Sequence, residues 1–244
     1  MKTTTRPILK SKLTRLSLAA FLALPMVANA TSYPITIDNF SAGSMGNLTG
    51  TGSFSESVAG VLGGVREVEY SFLGNANSNS LYLDLGLLTS ATNKNIGVYT
   101  LTYDGLAGSN NVAGNLNLDL TTAFAINVRA SADFWSQGSS TSQMSVALTD
   151  NLNVTRFLSL TPGIAPYDFG DITFALANSA FDGLAKNHIS RISVSYTSAI
   201  SADTDFDSIS IQNGAVALPV PEADSALFLL MGMGLVGYMA RRRG

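Results

Sequence analysis

The sequence predicts an all-β protein, an antiparallel β-sandwich preceded and followed by segments of a different character. Apolar and polar residues alternate along most of residues 31–217, the pattern of strands that bury one face. Clusters of Gly, Asn and Ser separate the alternating stretches, as expected between antiparallel strands. This segment has no sustained 3.6-residue apolar stripe, which disfavours a parallel sheet covered by helices.

Residues 1–30 have the features of a secretory signal peptide. Five basic residues and no acid accompany an apolar stretch from Leu16 to Val27, and Ala28 and Ala30 fit the small-x-small pattern of signal-peptidase cleavage. Pro25 interrupts the apolar stretch, which is also short for a membrane span. We therefore expect cleavage after Ala30 rather than a permanent N-terminal anchor.

Residues 31–217 form the predicted sandwich domain, with about ten to twelve strands by analogy with other all-β domains. Each predicted strand places every second residue on one buried face. The apolar sets are Val68, Tyr70 and Phe72; Leu81, Leu83 and Leu85; Leu116, Leu118 and Leu120; Phe124, Ile126 and Val128; Met144, Val146 and Leu148; and Ile192, Val194 and Tyr196.

Charge and cysteine content exclude several function classes. Residues 31–217 contain six basic residues and fifteen acids, a formal charge of −9, so nucleic acid is excluded as a partner because its phosphates would be repelled. The chain has no cysteine. Disulfides, thiolate metal sites and a cysteine nucleophile are therefore excluded, and one apolar core must stabilise the domain.

Aromatic residues are the main candidates for ligand contact, because exposed rings can stack on the apolar face of a sugar. Trp135, Tyr103 and Tyr82 are the leading candidates, and Tyr99 and Tyr167 lie in similar polar or loop-adjacent sequence. A single tryptophan in a β-sandwich is also a frequent core residue, and this alternative stays open.

Acidic residues allow a hypothesis of structural calcium, the one cofactor considered. Asp38 lies in the first predicted strand, and Asp205 and Asp207 lie in the last. Adjacent strands would bring their carboxylates together, and calcium takes six to eight oxygen ligands. The alternative is a set of solvated carboxylates that protect the sheet edges from pairing with other chains.

Catalytic patterns are sparse. His188 is the only histidine, and no serine lies in a Gly-x-Ser-x-Gly context, so a multi-histidine metal site is excluded and a serine nucleophile elbow is not indicated. Glu67 and Glu69 are two residues apart on one strand face, about 7 Å along it, a spacing compatible with a glycosidase pair. The same spacing is typical of an ordinary exposed acidic face, which we favour.

The C-terminal segment 218–244 has three parts. Val220, Pro221 and Glu222 precede an apolar run from Ala226 to Ala240, which Arg241, Arg242 and Arg243 follow. The run predicts a short transmembrane helix of about 22 Å, extended at its end by the snorkelling arginines. Because Arg favours the cytoplasmic side, the sandwich domain would lie outside. The simpler alternative is an ordinary C-terminal anchor.

This segment resembles the PEP-CTERM sorting signal of gram-negative bacteria, in which a Val-Pro-Glu-Pro motif precedes an apolar helix and an arginine-rich end. The resemblance implies an exosortase as processing partner, alongside signal peptidase, and a transient inner-membrane intermediate. The protein would then reach the cell surface or the extracellular matrix. Ala223 stands where the motif has its second proline, a departure that bears on cleavage efficiency.

Residues 33–212 resemble the jelly-roll domains related to carbohydrate-binding modules. The resemblance lies in the opening strand Ile35–Phe40, in Val61–Val68 and in the closing strand Asp205–Ile209. It implies that the first and last strands pair, and that polysaccharide is the partner. Three function classes follow as hypotheses: a non-enzymatic polysaccharide-associated protein, which we favour, a glycan-acting enzyme with paired carboxylates, and a structural or adhesive matrix protein without a discrete ligand.

Overall fold

A computed structural model describes residues 34–73, 79–106 and 114–213, which lie within the unit Ser32–Val216. Fourteen strands occur in these ranges and form two six-stranded sheets and one short hairpin. The predicted all-β antiparallel sandwich is confirmed, with more strands than the sequence predicted. The helical segments of these ranges are 3-10 turns at Leu62–Gly64, Ser179–Phe181 and Lys186–His188.

Sheet A contains six antiparallel strands. In spatial order they are β12 (Gly170–Ala175), β7 (Ala123–Ala132), β14 (Thr204–Asn213), β5 (Leu87–Ala91) and β4 (Ser80–Asp84), and β1 (Ile35–Asp38) pairs with β14 beside β5. The last strand of the described ranges therefore lies in the middle of this sheet.

Sheet B also contains six antiparallel strands. In spatial order they are β11 (Thr155–Leu160), β10 (Gln143–Asp150), β13 (Ile189–Thr197), β6 (Ile96–Tyr103), β3 (Val65–Leu73) and β2 (Thr51–Ser57). A separate two-stranded hairpin is formed by β8 (Ser136–Gln137) and β9 (Ser140–Thr141).

The inner faces of the two sheets pack against each other through apolar and aromatic side chains. Phe206 of sheet A contacts Tyr99 and Tyr196 of sheet B, with ring centroids 5.7 and 5.4 Å apart in edge-on geometry. Such edge-on pairs stabilise a core by about 0.5–1.5 kcal/mol beyond their buried area. All three rings are buried, so the alternating residues of both sheets form one continuous core.

The first and last strands pair as predicted. Ile35 lies opposite Ile211 and Thr36 opposite Ser210, and the register then shifts before Asp38 pairs with Ile209. This shift lies next to the position where Asp38 meets the buried Arg66 of β3. A jelly-roll-like sandwich brings its termini together in this way.

Three strand predictions were wrong in detail. Leu116–Leu120 forms only an isolated bridge, Leu118 to Ile189, because Asn117 has a φ of 48° that interrupts the extended chain. Phe124 is 56% exposed, because a register shift opposite it in β14 turns its side chain away from the core. Leu85 is 95% exposed at the turn between β4 and β5.

Within the described ranges, no helix has the length and apolar character needed to cross a membrane. The predicted helix at 226–240 lies outside these ranges. So do the predicted signal peptide at 1–30 and the whole of segment 218–244.

Candidate functional site

The structure separates the predicted aromatic contacts into two groups. Trp135 is only 6% exposed and Tyr103 is fully buried, so the prediction of two exposed stacking rings was wrong for both. Trp135 packs edge-on against Tyr196 in the core, with the two ring centroids 6.4 Å apart. Tyr103 lies on the inner face of β6 and donates a hydrogen bond to Asp38 Oδ2 at 3.0 Å. Tyr82 is partly exposed and becomes the leading candidate.

Tyr82 lies on the outer face of sheet A. Its neighbours Leu81 and Leu83 face the core, so the alternation of β4 directs Tyr82 outward. Thr89 of β5 lies directly opposite Tyr82, and Thr89 in turn pairs with Asp205 of β14. Thr89 Oγ1 donates a hydrogen bond to Asp205 Oδ1 at 2.7 Å, which fixes the position of that carboxylate two strands away from Tyr82.

A cleft runs along the β4 edge of sheet A, between that strand and residues 40–47. Two cavities form it, of about 490 and 360 Å³, and Leu83 lines both. Tyr82 lines the smaller cavity together with Met45, Gly46 and Asn47. The cleft therefore presents an aromatic ring, an amide side chain and exposed backbone to the solvent.

A buried charge network holds the outer wall of this cleft. Arg66 Nη1 donates to the carbonyl of Ala42 at 3.1 Å and to Glu56 Oε1 at 2.6 Å. Glu56 Oε2 accepts a hydrogen bond from the backbone N–H of Ser44 at 2.6 Å. Between them, Gly43 has a φ of 125°, and a Cβ there would lie 2.6 Å from Arg66 Nη1. The wall can therefore pack this closely only because residue 43 is glycine.

Burial and hydrogen bonding act in opposite directions on Arg66. Burial alone would lower the pKa of Arg66, but the hydrogen bonds and charge of Asp38, together with Glu56, raise it above its ordinary value. Burial and the nearby Asp38 carboxylate raise the pKa of Tyr103 well above its usual range. The network therefore stays ionised at Arg66 and protonated at Tyr103 throughout the physiological pH range.

A second aromatic position lies at the opposite edge of sheet A. Phe169 immediately precedes β12 and is 40% exposed, and the Arg129 guanidinium lies over its ring at 6.0 Å from the centroid. Arg129 also pairs with Asp207 at 3.3 Å and with Asp171 at 3.7 Å. Phe169 and Arg129 were not among the residues predicted from the sequence. Arg129 is the only charged residue of β7, a signal that could have identified the polar face of that strand.

The three carboxylates proposed for calcium are not brought together. Asp38 is buried and accepts hydrogen bonds from Arg66 and Tyr103, whereas Asp205 binds Thr89 and Asp207 pairs with Arg129. Across residues 34–73, 79–106 and 114–213, no group of three acidic or histidine side chains is placed to hold a metal ion. These residues do not fit a calcium site, because the buried member already neutralises an arginine.

The acidic pair of β3 lies on the outer face of sheet B. Glu67 is buried, whereas Glu69 is exposed and lines a shallow groove of about 500 Å³ with Thr51, Ser53 and Thr100. His188 is exposed at the end of a 3-10 turn before β13. Its Nδ1 lies 3.3 Å from Asn117 Oδ1, which places it away from this acidic pair.

Comparison with known proteins supports the interpretation of the C-terminal segment. Residues 219–243 match the family model of the PEP-CTERM protein-sorting motif. The motif indicates an exported protein processed by an exosortase. No curated protein matches the chain.

Solved structures similar to this chain include carbohydrate-binding modules. The family 11 module of a cellulosomal cellulase of Clostridium thermocellum is 13% identical, with a TM-score of 0.37, 75% of this chain covered and 96% of that chain. The module TmCBM61, solved with β-1,4-galactotriose, is 7% identical, with a TM-score of 0.34, 59% of this chain covered and 88% of that chain. Because these identities and TM-scores are low, the similarity supports no conclusion about the ligand of this chain.

Proposed function

We propose that this protein is a non-enzymatic component of the cell surface or extracellular matrix that associates with polysaccharide through the Tyr82 cleft. The sorting motif at residues 219–243 supports the delivery route. The observation that carries the binding proposal is a partly exposed tyrosine in a cleft whose wall is fixed by buried charges. Signal peptidase and a transient inner-membrane intermediate belong to the same proposal.

The chemistry of the cleft suits a sugar. A tyrosine ring offers an apolar surface for the C–H face of a pyranose, and its hydroxyl can remain solvated or bind the ligand. The Asn47 amide, which lines the same cavity, offers both donors and acceptors. Asp205 is held by Thr89 at 2.7 Å and offers a fixed acceptor for sugar hydroxyls. A few fixed polar groups around an aromatic surface are typical of ligand sites.

The acids of this face are engaged in ways that favour binding over hydrolysis. Asp171 and Asp207 pair with Arg129, and Asp205 accepts a hydrogen bond from Thr89. A glycosidase needs two carboxyl groups that are free to flank the scissile bond. Arg129 lies between Asp171 and Asp207 and pairs with both of them. The alternative pair, Glu67 and Glu69, includes one buried member that would have to become exposed to reach a substrate.

Affinity electrophoresis tests the binding proposal. The protein with Tyr82→Ala should lose most of the retention that the unsubstituted protein shows in gels containing neutral polysaccharide, with an unchanged melting temperature because the ring is not in the core. Phe157→Ala is the matched control, since Phe157 is 65% exposed on β11 in the other sheet. Equal retention of both variants would refute the Tyr82 site. A complete lack of retention of the unsubstituted protein would favour a matrix protein without a discrete ligand.

Intact-mass measurement tests the delivery route. The exported protein should lack residues 1–30 and the segment after about Glu222, which is the last residue of the Val220-Pro221-Glu222 motif. A Pro221→Ala, Glu222→Ala variant should accumulate as a membrane-bound precursor. Recovery of Arg241–Arg243 on the exported protein would instead indicate a plain anchor.

A further inference from the structure

We infer that the Tyr82 site continues across sheet A to Phe169 and takes an extended glycan chain without acidic groups, laid across the strands. This inference rests on the proposed function and specifies its ligand class. It starts from the placement of the partly exposed Tyr82 ring and the exposed Phe169 ring at opposite edges of one polar sheet face.

Register-aligned positions on the outer side of sheet A connect the two rings. Tyr82 lies opposite Thr89, Thr89 opposite Asp205, and Asp205 opposite Ser131 of β7, a residue that is only 7% exposed. Gly170 of β12 pairs with Ala130, so Phe169, one residue earlier, continues the row beside Ser131. Neighbouring strands lie about 4.8 Å apart, so the four steps from β4 to β12 span about 19 Å. A single sugar ring is several times shorter, and only a chain can contact both ends.

Phe169, at the far end of this row, lies against the side chain of Arg129. The Arg129 guanidinium lies 6.0 Å from the Phe169 ring centroid, within the range of a cation–π contact. Arg129 pairs in turn with Asp207 and Asp171 on the two neighbouring strands. A partly exposed ring that is already positioned loses little conformational freedom when a ligand stacks on it.

The charge of this face selects against acidic polymers. Asp171, Asp205 and Asp207 face outward with Arg129 as the one base among them, and that base is already paired with two of the acids. An incoming uronate or sulfate would meet excess negative charge and find the guanidinium occupied. The carboxylates can instead accept hydrogen bonds from the hydroxyls of a neutral sugar chain.

The test measures affinity against chain length, with the exported protein and three neutral series, cello-, manno- and galacto-oligosaccharides, from disaccharide to octasaccharide. Affinity for the bound series should rise until the chain spans the row and then level off. Phe169→Ala should weaken the long chains about three- to tenfold, the range expected from one aromatic contact, and leave the shortest chains unchanged. Phe169→Tyr should restore long-chain affinity, and melting curves should show both variants folded. Oligogalacturonates of equal length should bind at least about tenfold more weakly.

Four results would overturn the inference. Affinity that does not depend on length, or a Phe169→Ala variant that binds long chains normally while Tyr82→Ala does not, would confine the site to the Tyr82 cleft. Equal binding of oligogalacturonates would refute the charge selection. If no series binds to the unsubstituted protein, the proposed function itself fails together with the inference.

Discussion

Arg66 and Asp38 form a two-point ion pair in which neither side chain is exposed, with Nε to Oδ2 and Nη2 to Oδ1 both at 2.6 Å. Arg66 belongs to sheet B and Asp38 to sheet A, so the pair joins the two sheets. Planar guanidinium and carboxylate groups match in this geometry. The pair is thus a buried, charged crosslink between the two sheets, and Arg66 also positions the wall of the Tyr82 cleft.

Removal of this arginine should destabilise the domain strongly. Arg66→Met leaves Asp38 and Glu56 buried without their cation, and loss of one partner of a buried pair costs about 3–5 kcal/mol. Arg66→Lys should recover only part of the loss, because an ammonium cannot form the fork. Chemical denaturation measures both variants. Arg156→Met is the control, since Arg156 is exposed on β11, and comparable losses at both positions would argue against a special role of the buried pair.

Trp135 should behave as a core residue. Trp135→Ala should cost about 3–5 kcal/mol of unfolding free energy, as large-to-small core substitutions do, while Tyr82→Ala should change the stability little. Because Trp135 is the only tryptophan, native fluorescence reports its environment directly. Its emission should be shielded from a soluble quencher in the folded protein and become accessible on unfolding. Ready quenching in the folded state would contradict its burial.

Asp150 should stabilise the fold above acidic pH. Burial alone would raise the pKa of Asp150, but the backbone N–H groups of Ala185, Val154 and Leu152 outweigh burial and lower it. Because the folded-state pKa lies below the unfolded value, the stabilisation is present above the unfolded pKa and is lost as pH falls through the folded pKa. Asp150→Asn should therefore destabilise at neutral pH, by about 1–3 kcal/mol if one N–H loses its acceptor.

Denaturation of the Asp150→Asn variant across a pH series checks this expectation. The difference in unfolding free energy between the variant and the unsubstituted protein should become smaller as the pH falls through the folded-state pKa of Asp150. Asp168→Asn, at an exposed loop position, controls for the loss of one charge. A difference that stays constant with pH would contradict the linkage.

Asp133 should show the opposite dependence. Partial burial, with the nearby Asp203 charge, raises its pKa although three backbone N–H interactions oppose the shift. An acid whose pKa is higher in the folded state than in the unfolded state destabilises the fold above the folded-state pKa. This loss of stability disappears as the pH falls below the unfolded-state pKa. Asp133→Asn keeps an acceptor for Phe134 and Asp203 and should therefore raise the melting temperature at neutral pH. The gain should vanish in acid, and a lower melting temperature at neutral pH would show that the ionised form is favoured.

Period-two alternation predicted the class of fold, because alternation is a local property of each strand, and the resemblance to jelly-roll domains predicted the pairing of the first and last strands. Exposure of single aromatic residues was harder to predict. Tyr82 and Tyr103 both lie in alternating strands, but Tyr103 faces inward and binds Asp38, a contact made over 65 residues of sequence. The partnership of Arg66 with Asp38 and Glu56 likewise depends on three separate strands.

The bulge at Phe124 and the left-handed Asn117 escaped prediction for a related reason. Both residues fit the alternating pattern of their own segments. The register shift in β14 interrupts the alternation at Phe124, and the positive φ of Asn117 interrupts it between Leu116 and Leu118. Phe169 was missed because it precedes its strand rather than lying within it. Its importance comes from Arg129, which reaches it from the neighbouring strand.

The place of β14 in the middle of sheet A has a consequence for how the chain folds. β7, β5 and β1 all pair with this final strand, so none of them can complete its hydrogen bonding until residues 204–213 are available. Contacts of such long sequence separation slow folding, and unpaired strand edges invite association with other chains until the gap is filled. A chain interrupted before Thr204 would lack the central strand of sheet A, so completion of that sheet must wait for residues 204–213.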